Sequence, residues 1–293
     1  MKVSIVIRTF NEERHLRSLL EAIRNQNYPE KDLETIVVDS GSTDCTLDIA
    51  SEFPVRVMTI SKNDFSFGRS LNLGCSAANG DGLVFISGHC IPASKSWISN
   101  LVSPLRRCDI AYTYGRQIGN GKSHFSECQI FSKYFPISSS IPQEGFYCNN
   151  ANAALRKDLW SRYRFDESLT GLEDMHLSKR LLTNGYKIGY VSDAVVYHLH
   201  DESWSQIRRR FEREAIALQH IMPEVHLSRA DVVRYFISAA MFDLSVALQQ
   251  RSAIRNLKNI FLYRLMQFTG SYRGNHFHRQ VSRSMKDRYF YPR

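Results

Sequence analysis

The chain has 293 residues, 43% hydrophobic and 23% charged, a composition that excludes disordered, collagen-like and coiled-coil classes and leaves room for one large α/β domain with an appendage. Its net charge of +9 is unevenly placed: residues 1–204 carry 22 Lys and Arg against 23 Asp and Glu, and residues 205–293 carry 16 against 6. The six cysteines form no CxxC pair, and the first residues read as a strand rather than a leader, so the expectation is a cytoplasmic protein with reduced thiols.

Val3 to Ile7 is a short β-branched run, followed by a helix that sets Leu16, Leu19, Leu20 and Ile23 on one face. Thr35 to Asp39 reads as a second strand, and Ser40 to Asp44 as a turn into a helix through Leu47, Ile49 and Ala50. Val55 to Ile60, the helix Phe67 to Ala78, and the strand Leu83 to Ile86 continue the alternation. Such alternation predicts a mainly parallel sheet with crossover helices, whose ligands lie outside the carboxyl ends of the strands. Those ends are Thr9 to Glu12, Asp39 to Asp44 and Ser87 to Cys90. Tyr112 to Gln117 then reads as a strand, 118–145 as a polar stretch, and Tyr147 to Leu155 as a strand re-entering the sheet. Leu172 to Asn184 is a helix closed by Gly185. Two short strands follow, Lys187 to Val191 and Val195 to Tyr197. Beyond His200 the pattern is helical: Ser205 to Ile221, Ala230 to Gln250 after the start signal at Ser228 and Asp231, and Ile254 to Phe268. The most apolar window, Val232 to Leu248, contains Arg234 and Asp243 and is too short and polar to span a bilayer.

Four segments occur in order: Val3-Ser-Ile-Val-Ile-Arg-Thr-Phe-Asn-Glu-Glu13, Val37-Val-Asp-Ser-Gly-Ser-Thr-Asp44, Gly68-Arg-Ser-Leu-Asn-Leu-Gly74 and Gly171-Leu-Glu-Asp174. Together they resemble the family 2 glycosyltransferases of the GT-A fold across roughly residues 1–200. Tyr114-Gly-Arg-Gln117 and Asn149-Asn-Ala-Asn152 look most like the branch of bacterial surface-polysaccharide and rhamnosyltransferase-type enzymes. The implied fold is α/β, a GT-A catalytic domain over 1–204 with a nucleotide-sugar half at about 1–110 and an acceptor half at about 111–204. A basic helical extension occupies 205–293. The implied activity is inverting transfer of a sugar from a nucleotide-sugar to a glycan hydroxyl in capsule, O-antigen or exopolysaccharide synthesis.

The candidate donor-binding residues are Thr9, Phe10, Glu12, Asp39, Arg69, Asn72 and Ser87. Thr9, Phe10 and Glu12 would offer acceptors to a base edge, and Asp39 would accept from a base N–H or a ribose hydroxyl unless it caps the following helix. Arg69 would offset diphosphate charge unless it is simply solvated, and Asn72 would serve either the donor or a helix–sheet hydrogen bond. The family's Asp-x-Asp slot holds Ser87-Gly88-His89 here. That replacement leaves dependence on a divalent cation, Mn²⁺ or Mg²⁺, open, with His89 and His198 as candidate metal ligands and His200 beside them. Imidazole suits Mn²⁺ better than Mg²⁺; a protonated His89 facing the diphosphate is the metal-free alternative.

The resemblance assigns the catalytic base to Asp174, with Glu173 beside it. A helix N-terminus is expected to keep both ionised. UDP-sugar is the expected donor, with dTDP-, GDP- and CMP-sugars as alternatives, and the acceptor is a glycan or a lipid-linked glycan. Trp97 and Trp160 read as core or as acceptor wall. The basic extension suits an anionic membrane surface at the inner face of the cell membrane, or packing on the catalytic domain or a second subunit. A nucleic-acid-binding role lacks any recognisable module. A sugar nucleotidyltransferase would need a glycine near residue 10, which is missing. A transferase-like binding protein without activity is the remaining alternative, against which Glu173 and Asp174 stand.

Overall fold

The computed structural model describes residues 1–277, which divide into two compact units. The first comprises residues 1–123, 130–169 and 173–200; the second takes 124–129, 170–172 and the chain from Asp201. Residues 278–293, the end of the basic extension read from the sequence, lie outside the described residues.

The first unit is built on a mixed sheet. Strands β1 (Val3–Thr9), β2 (Leu33–Asp39), β3 (Arg56–Thr59) and β4 (Gly82–Ser87) run parallel in the order β3-β2-β1-β4. Beyond β4 the sheet continues through β7 (Asn152–Arg156), β6 (Ile110–Ile118), β8 (Lys187–His198) and β5 (Cys90–Pro92). β7 is antiparallel to both of its neighbours, β6 and β8 are parallel, and β5 is antiparallel to β8. The strand period of two sorts β1 cleanly. Val3, Ile5 and Ile7 pack with Leu16, Leu19, Leu20 and Ile23 of helix α1 (Leu16–Arg24). Val6 packs on the other face, in a cluster with Leu71 and Cys75 of helix α3 (Phe67–Ala77). A strand covered on both faces needs apolar residues at successive positions, which is why β1 reads as a continuous run. Helix α2 (Thr46–Ser51) completes the first crossovers.

Several elements differ from the sequence expectation. The polar stretch 118–145 contains helix α5 (Phe125–Tyr134), masked because Ser126 and Glu127 are among its buried residues. The re-entering strand begins at Asn152 rather than Tyr147, since Asn149 and Asn150 bond to Gln117 and Asp174 instead of a neighbouring strand. The two short strands after Gly185 are one, β8, with a register shift against β6 between Gly115 and Gln117. Helices α4 (Trp97–Val102) and α6 (Lys157–Tyr163) carry the two tryptophans into the core, where Trp97 donates to Asn152 Oδ1 and Trp160 to Asn72 Oδ1. Helix α7 (Glu173–Thr183) ends as expected at Gly185, with φ of 85°.

The second unit holds α8 (Trp204–Ile221), α9 (Arg229–Gln249) and α10 (Ala253–Asn275). Ser228 and Asp231 form the expected reciprocal cap on α9. α10 runs past the expected end at Phe268, because Gly270 and Gly274 are close-approach residues: a Cβ there would collide with the carbonyl oxygens of Arg208 and Glu212 on α8. Arg264 of α10 and Asp243 of α9, both buried, form a bidentate pair at 2.7 and 2.8 Å.

Candidate active site

The register of the parallel strands sets three candidate residues side by side. Thr9 pairs with Asp39, and Arg8 with Ser87, so the carboxyl ends of β1, β2 and β4 meet at one edge. Asp39 is fully buried and accepts from Thr9 Oγ1 (3.1 Å), Ser42 Oγ (2.5 Å), Gly41 N (2.9 Å) and Ser42 N (2.9 Å). Four bonds fill a carboxylate. Asn11 adopts φ of 57°, a left-handed conformation that asparagine tolerates. From there its Oδ1 accepts from Thr43 N (2.8 Å), while its own N–H donates to Ser42 Oγ (2.8 Å). Phe10, 46% exposed, stands at the rim with Lys62 Nζ 5.2 Å from its ring centre.

A second group of residues lies where β4 turns back into β5. Gly88 is required at that turn, since a Cβ would lie 2.8 Å from Glu12 Cγ and 3.2 Å from Arg8 O. The pairing of β5 with β8, together with Leu199 N donating to His89 O at 3.1 Å, carries His89 to His198. The result is a chain of contacts: Glu12 Oε1 to His89 Nδ1 (2.6 Å), His89 Nε2 to His198 Nε2 (3.1 Å), and His198 Nδ1 to Gln117 Oε1 (2.6 Å).

The outer partners decide the tautomers. Asn149 Oδ1 accepts from the backbone N–H of Ala151 (3.0 Å) and from Gln117 Nε2 (3.0 Å), so Gln117 turns its carbonyl oxygen to His198. His198 Nδ1 is therefore a donor, and so is His89 Nδ1 opposite a carboxylate oxygen. Both Nε2 atoms are left with lone pairs, facing each other at hydrogen-bond distance. A cation placed beside both would turn that repulsion into coordination. His200 lies at the same place: one nitrogen from each of His89, His198 and His200 fits within 4.8 Å of the others. Three imidazole donors fit a divalent transition ion and suit Mg²⁺ poorly.

The third group is the start of α7. Arg8 Nη1 meets Glu173 Oε1 at 3.2 Å, and the guanidinium stands over the Phe67 ring at 5.0 Å. Asp174 is 7% exposed, with Oδ2 accepting from Asn150 N (2.7 Å) and Oδ1 from Met175 N (2.7 Å). Each oxygen keeps one lone pair. Burial, and after it the charge of Glu173, push the Asp174 carboxyl up to about 7, against the opposing pull of those N–H donors and of Arg8. The expectation that the helix end keeps it ionised is thus corrected: a helix terminus supplies about 0.3–1 kcal/mol, less than burial takes away. Leu172, just before the pair, has φ of 55°, an uncommon conformation for a leucine and a form of strain that collects at functional sites.

The model of the family described as "Glycosyl transferase family 2" matches residues 4–164, more than half of the chain. The chain belongs to glycosyl transferase family 2. Over 216 residues this glycosyltransferase is 30% identical to the O-antigen chain rhamnosyltransferase RfbN of Salmonella typhimurium, covering 69% of this chain and 67% of that one. It is 28% identical over 191 residues to the O-antigen chain rhamnosyltransferase WbaN of Salmonella anatum, covering 61% and 60%. Its fold is that of the mannosyltransferase PcManGT from Pyrobaculum calidifontis, solved with GDP-Man and Mn²⁺, at a TM-score of 0.64 and 16% identity over 99% of this chain and 88% of that one. S. aureus TarS in complex with UDP-GlcNAc matches at 0.54 and 17%, over 96% and 92%. The GT-A architecture expected from the sequence is present, with its helical C-terminal region.

Within the transferase, several expected donor contacts are engaged elsewhere. Asn72 is buried, with Oδ1 accepting from Trp160 Nε1 and Phe165 N and Nδ2 donating to Phe165 O and Glu167, so it serves the core, the structural half of its expected role. Glu12 presents its carboxylate to His89 rather than to a base. Thr9 and Asp39 organise the turn after β2, and Asp44, at the end of that turn, accepts from Glu13 N and from Thr46. Arg69 sits exposed on the first turn of α3, 3.4 Å from Asp64. The cation that the fold brings to the carboxylates is Arg8, which the sequence reading passed over although it stands in the strand end already singled out. Gln117, Asn149 and Asn150 were missed as well; they had been read as family signature without a role.

Proposed function

We propose that this glycosyltransferase moves a sugar from a nucleoside diphosphate sugar to a hydroxyl of a cell-surface glycan, with inversion at the anomeric carbon. The observation that carries the reading is Asp174: a carboxyl held near neutrality, with a lone pair free on each oxygen. The best general base is one whose affinity for protons matches the working pH. The acceptor hydroxyl gives its proton to Asp174, its oxygen bonds to the anomeric carbon, and the bond from that carbon to the diphosphate breaks with its electron pair on the leaving group. Glu173 is held by Arg8, which leaves one carboxylate for the base role and supports direct displacement.

Thr9, Asp39 and Ser87 define the edge where the nucleoside would lie, with Phe10 at its rim. His89, His198 and His200 would hold a divalent ion, which, when bound, would offset charge on the diphosphate. The named relatives favour a deoxyhexose or hexose donor and a bacterial surface polysaccharide as product. UDP-, dTDP- and GDP-sugars are the donors to test, with CMP-sugars as the nucleoside monophosphate alternative.

The test is a transfer and hydrolysis screen across those nucleotide-sugars with Mn²⁺, Mg²⁺ or chelator, reading the anomeric configuration of the product by NMR. Inverted product that depends on Asp174 supports the reading. Retained configuration, or turnover untouched by Asp174→Asn, overturns it.

A further inference from the structure

The outward face of α9 is apolar. Val233, Ile237, Met241 and Leu248 are all exposed, and they recur at helical spacing along one stripe about 22 Å long at 1.5 Å per residue. The stripe's other side is where α9 packs: Asp243 and Ala247 are buried, and Phe236 meets Phe261 of α10 edge to face at 5.6 Å. Past the turn at Arg251 the exposed apolar run resumes on α10, with Ile254 97% exposed and Leu257 and Phe261 about half exposed. A water-facing helix ordinarily turns polar residues outward, and a contiguous exposed apolar patch marks a contact surface.

Charge says what the contact is. Between Val232 and Phe277 the sole acidic residue is Asp243, which is buried against Arg264. Arg234, Arg251, Arg255 and Lys258 are exposed beside the apolar side chains. Asp231, in the first turn of α9, pairs with Arg234 at 3.1 Å; beyond that turn the face carries cations and hydrocarbon and no exposed carboxylate. A second copy of the chain would be a poor occupant, because a two-fold contact sets each patch against itself and brings like charges together. No described helix is long and apolar enough to cross a membrane.

We propose that the α9–α10 face seats on an anionic lipid surface, with Ile254 and Leu257 entering the headgroup layer and Arg251, Arg255 and Lys258 pairing with lipid phosphates. The sequence expectation left the basic extension between an anionic membrane surface and packing; the proposal gives the exposed face of α9 and α10 to the membrane. It rests on the exposure pattern of the helical unit and is independent of the donor-site reading.

The experiment is co-sedimentation of the full chain with vesicles of phosphatidylcholine alone, or with about a third phosphatidylglycerol, across a salt series. The expected result is binding to the anionic vesicles only, weakening as salt rises. Two exposed-surface variants separate the contributions: Ile254→Ser with Leu257→Ser, and Arg255→Glu with Lys258→Glu. Each pair should lower vesicle partition by at least about tenfold while leaving the thermal unfolding transition in place. Absence of binding at low salt overturns the proposal. So does binding that both pairs retain, which would assign it to residues 278–293. A concentration-dependent dimer in sedimentation velocity that Ile254→Ser with Leu257→Ser dissolves would give the face to a second copy and overturn it equally.

Discussion

The carboxylate corner at the start of α7 and the imidazole corner between β4, β5 and β8 are built by the same device and reach opposite chemical ends. In both, a reactive side chain is held by an asparagine of the 149–150 pair or by a neighbour that the asparagine orients. Asn150 gives its N–H to Asp174 while its Oδ1 takes the Tyr112 hydroxyl, and Asn149 takes the Ala151 N–H while steering Gln117 toward His198. At the first corner the outcome is an acid held close to neutrality, able to take a proton. At the second it is a set of imidazole nitrogens brought close enough together to share one ligand. A site for displacing a diphosphate needs both: a base on the acceptor side and something positive on the leaving side. On the proposed reading those duties fall to two corners linked through the end of β1, with Arg8 next to its last residue and Glu12 three residues past it.

The largest expected effect breaks the first corner alone. Asp174→Asn should lower turnover by on the order of 10² or more with donor affinity unchanged, as measured by transfer kinetics and by calorimetric titration of the nucleotide-sugar. A variant that keeps wild-type turnover with both substrates saturating would remove Asp174 from the chemistry.

The second corner is probed without turnover. His89→Ala should abolish the visible spectrum of bound Co²⁺ and the calorimetric binding of Mn²⁺. Gln117→Leu, which leaves all three imidazoles but frees the His198 tautomer, should weaken divalent-ion affinity by about 10- to 100-fold. Equal affinity in the Gln117 variant would show that the steering by Asn149 is idle.

The smallest effect is a displacement in pH. Because Asp174 must be ionised to act, turnover should rise through about pH 7. Glu173→Gln removes the like charge that helps hold the carboxyl up, so the rise should move to lower pH. Stability runs the other way. A carboxyl whose folded value lies above its unfolded one stabilises the fold fully below the unfolded value and loses that contribution as pH climbs to the folded one. Relative to Asp174→Asn, the parent protein should therefore lose thermal stability between about pH 4 and pH 7. A thermal-melt series in matched buffers reads this directly.

The sheet was legible because parallel strands buried on both faces leave apolar runs that polar turns interrupt, and the helical third because its start signals and spacing are local. The site was legible only in part. Asp174 and His89 stand out in the sequence by position at a helix start and a strand end, and the structure sets each among fixed polar partners. Arg8 sat in plain view, but a lone arginine in a strand carries no local mark of its partner, and Glu173 lies 165 residues away. Asn72, Thr9 and Asp39 share the polar character of ligand contacts, and whether their bonds go inward or outward is settled by tertiary packing. β5 escaped notice since three residues at a sheet edge hold too little pattern to read.

That short strand also sets an order of events. The His89–His198 contact spans 109 residues, and closing so long a loop has an entropic cost that local elements cannot offset before β8 exists. A chain emerging from the ribosome would complete β1 to β4, and with them Glu12 and His89, while β8 was still unmade. The imidazole pair is therefore among the last contacts to form during synthesis, and the transferase assembles its histidine corner only when nearly the whole catalytic unit has folded.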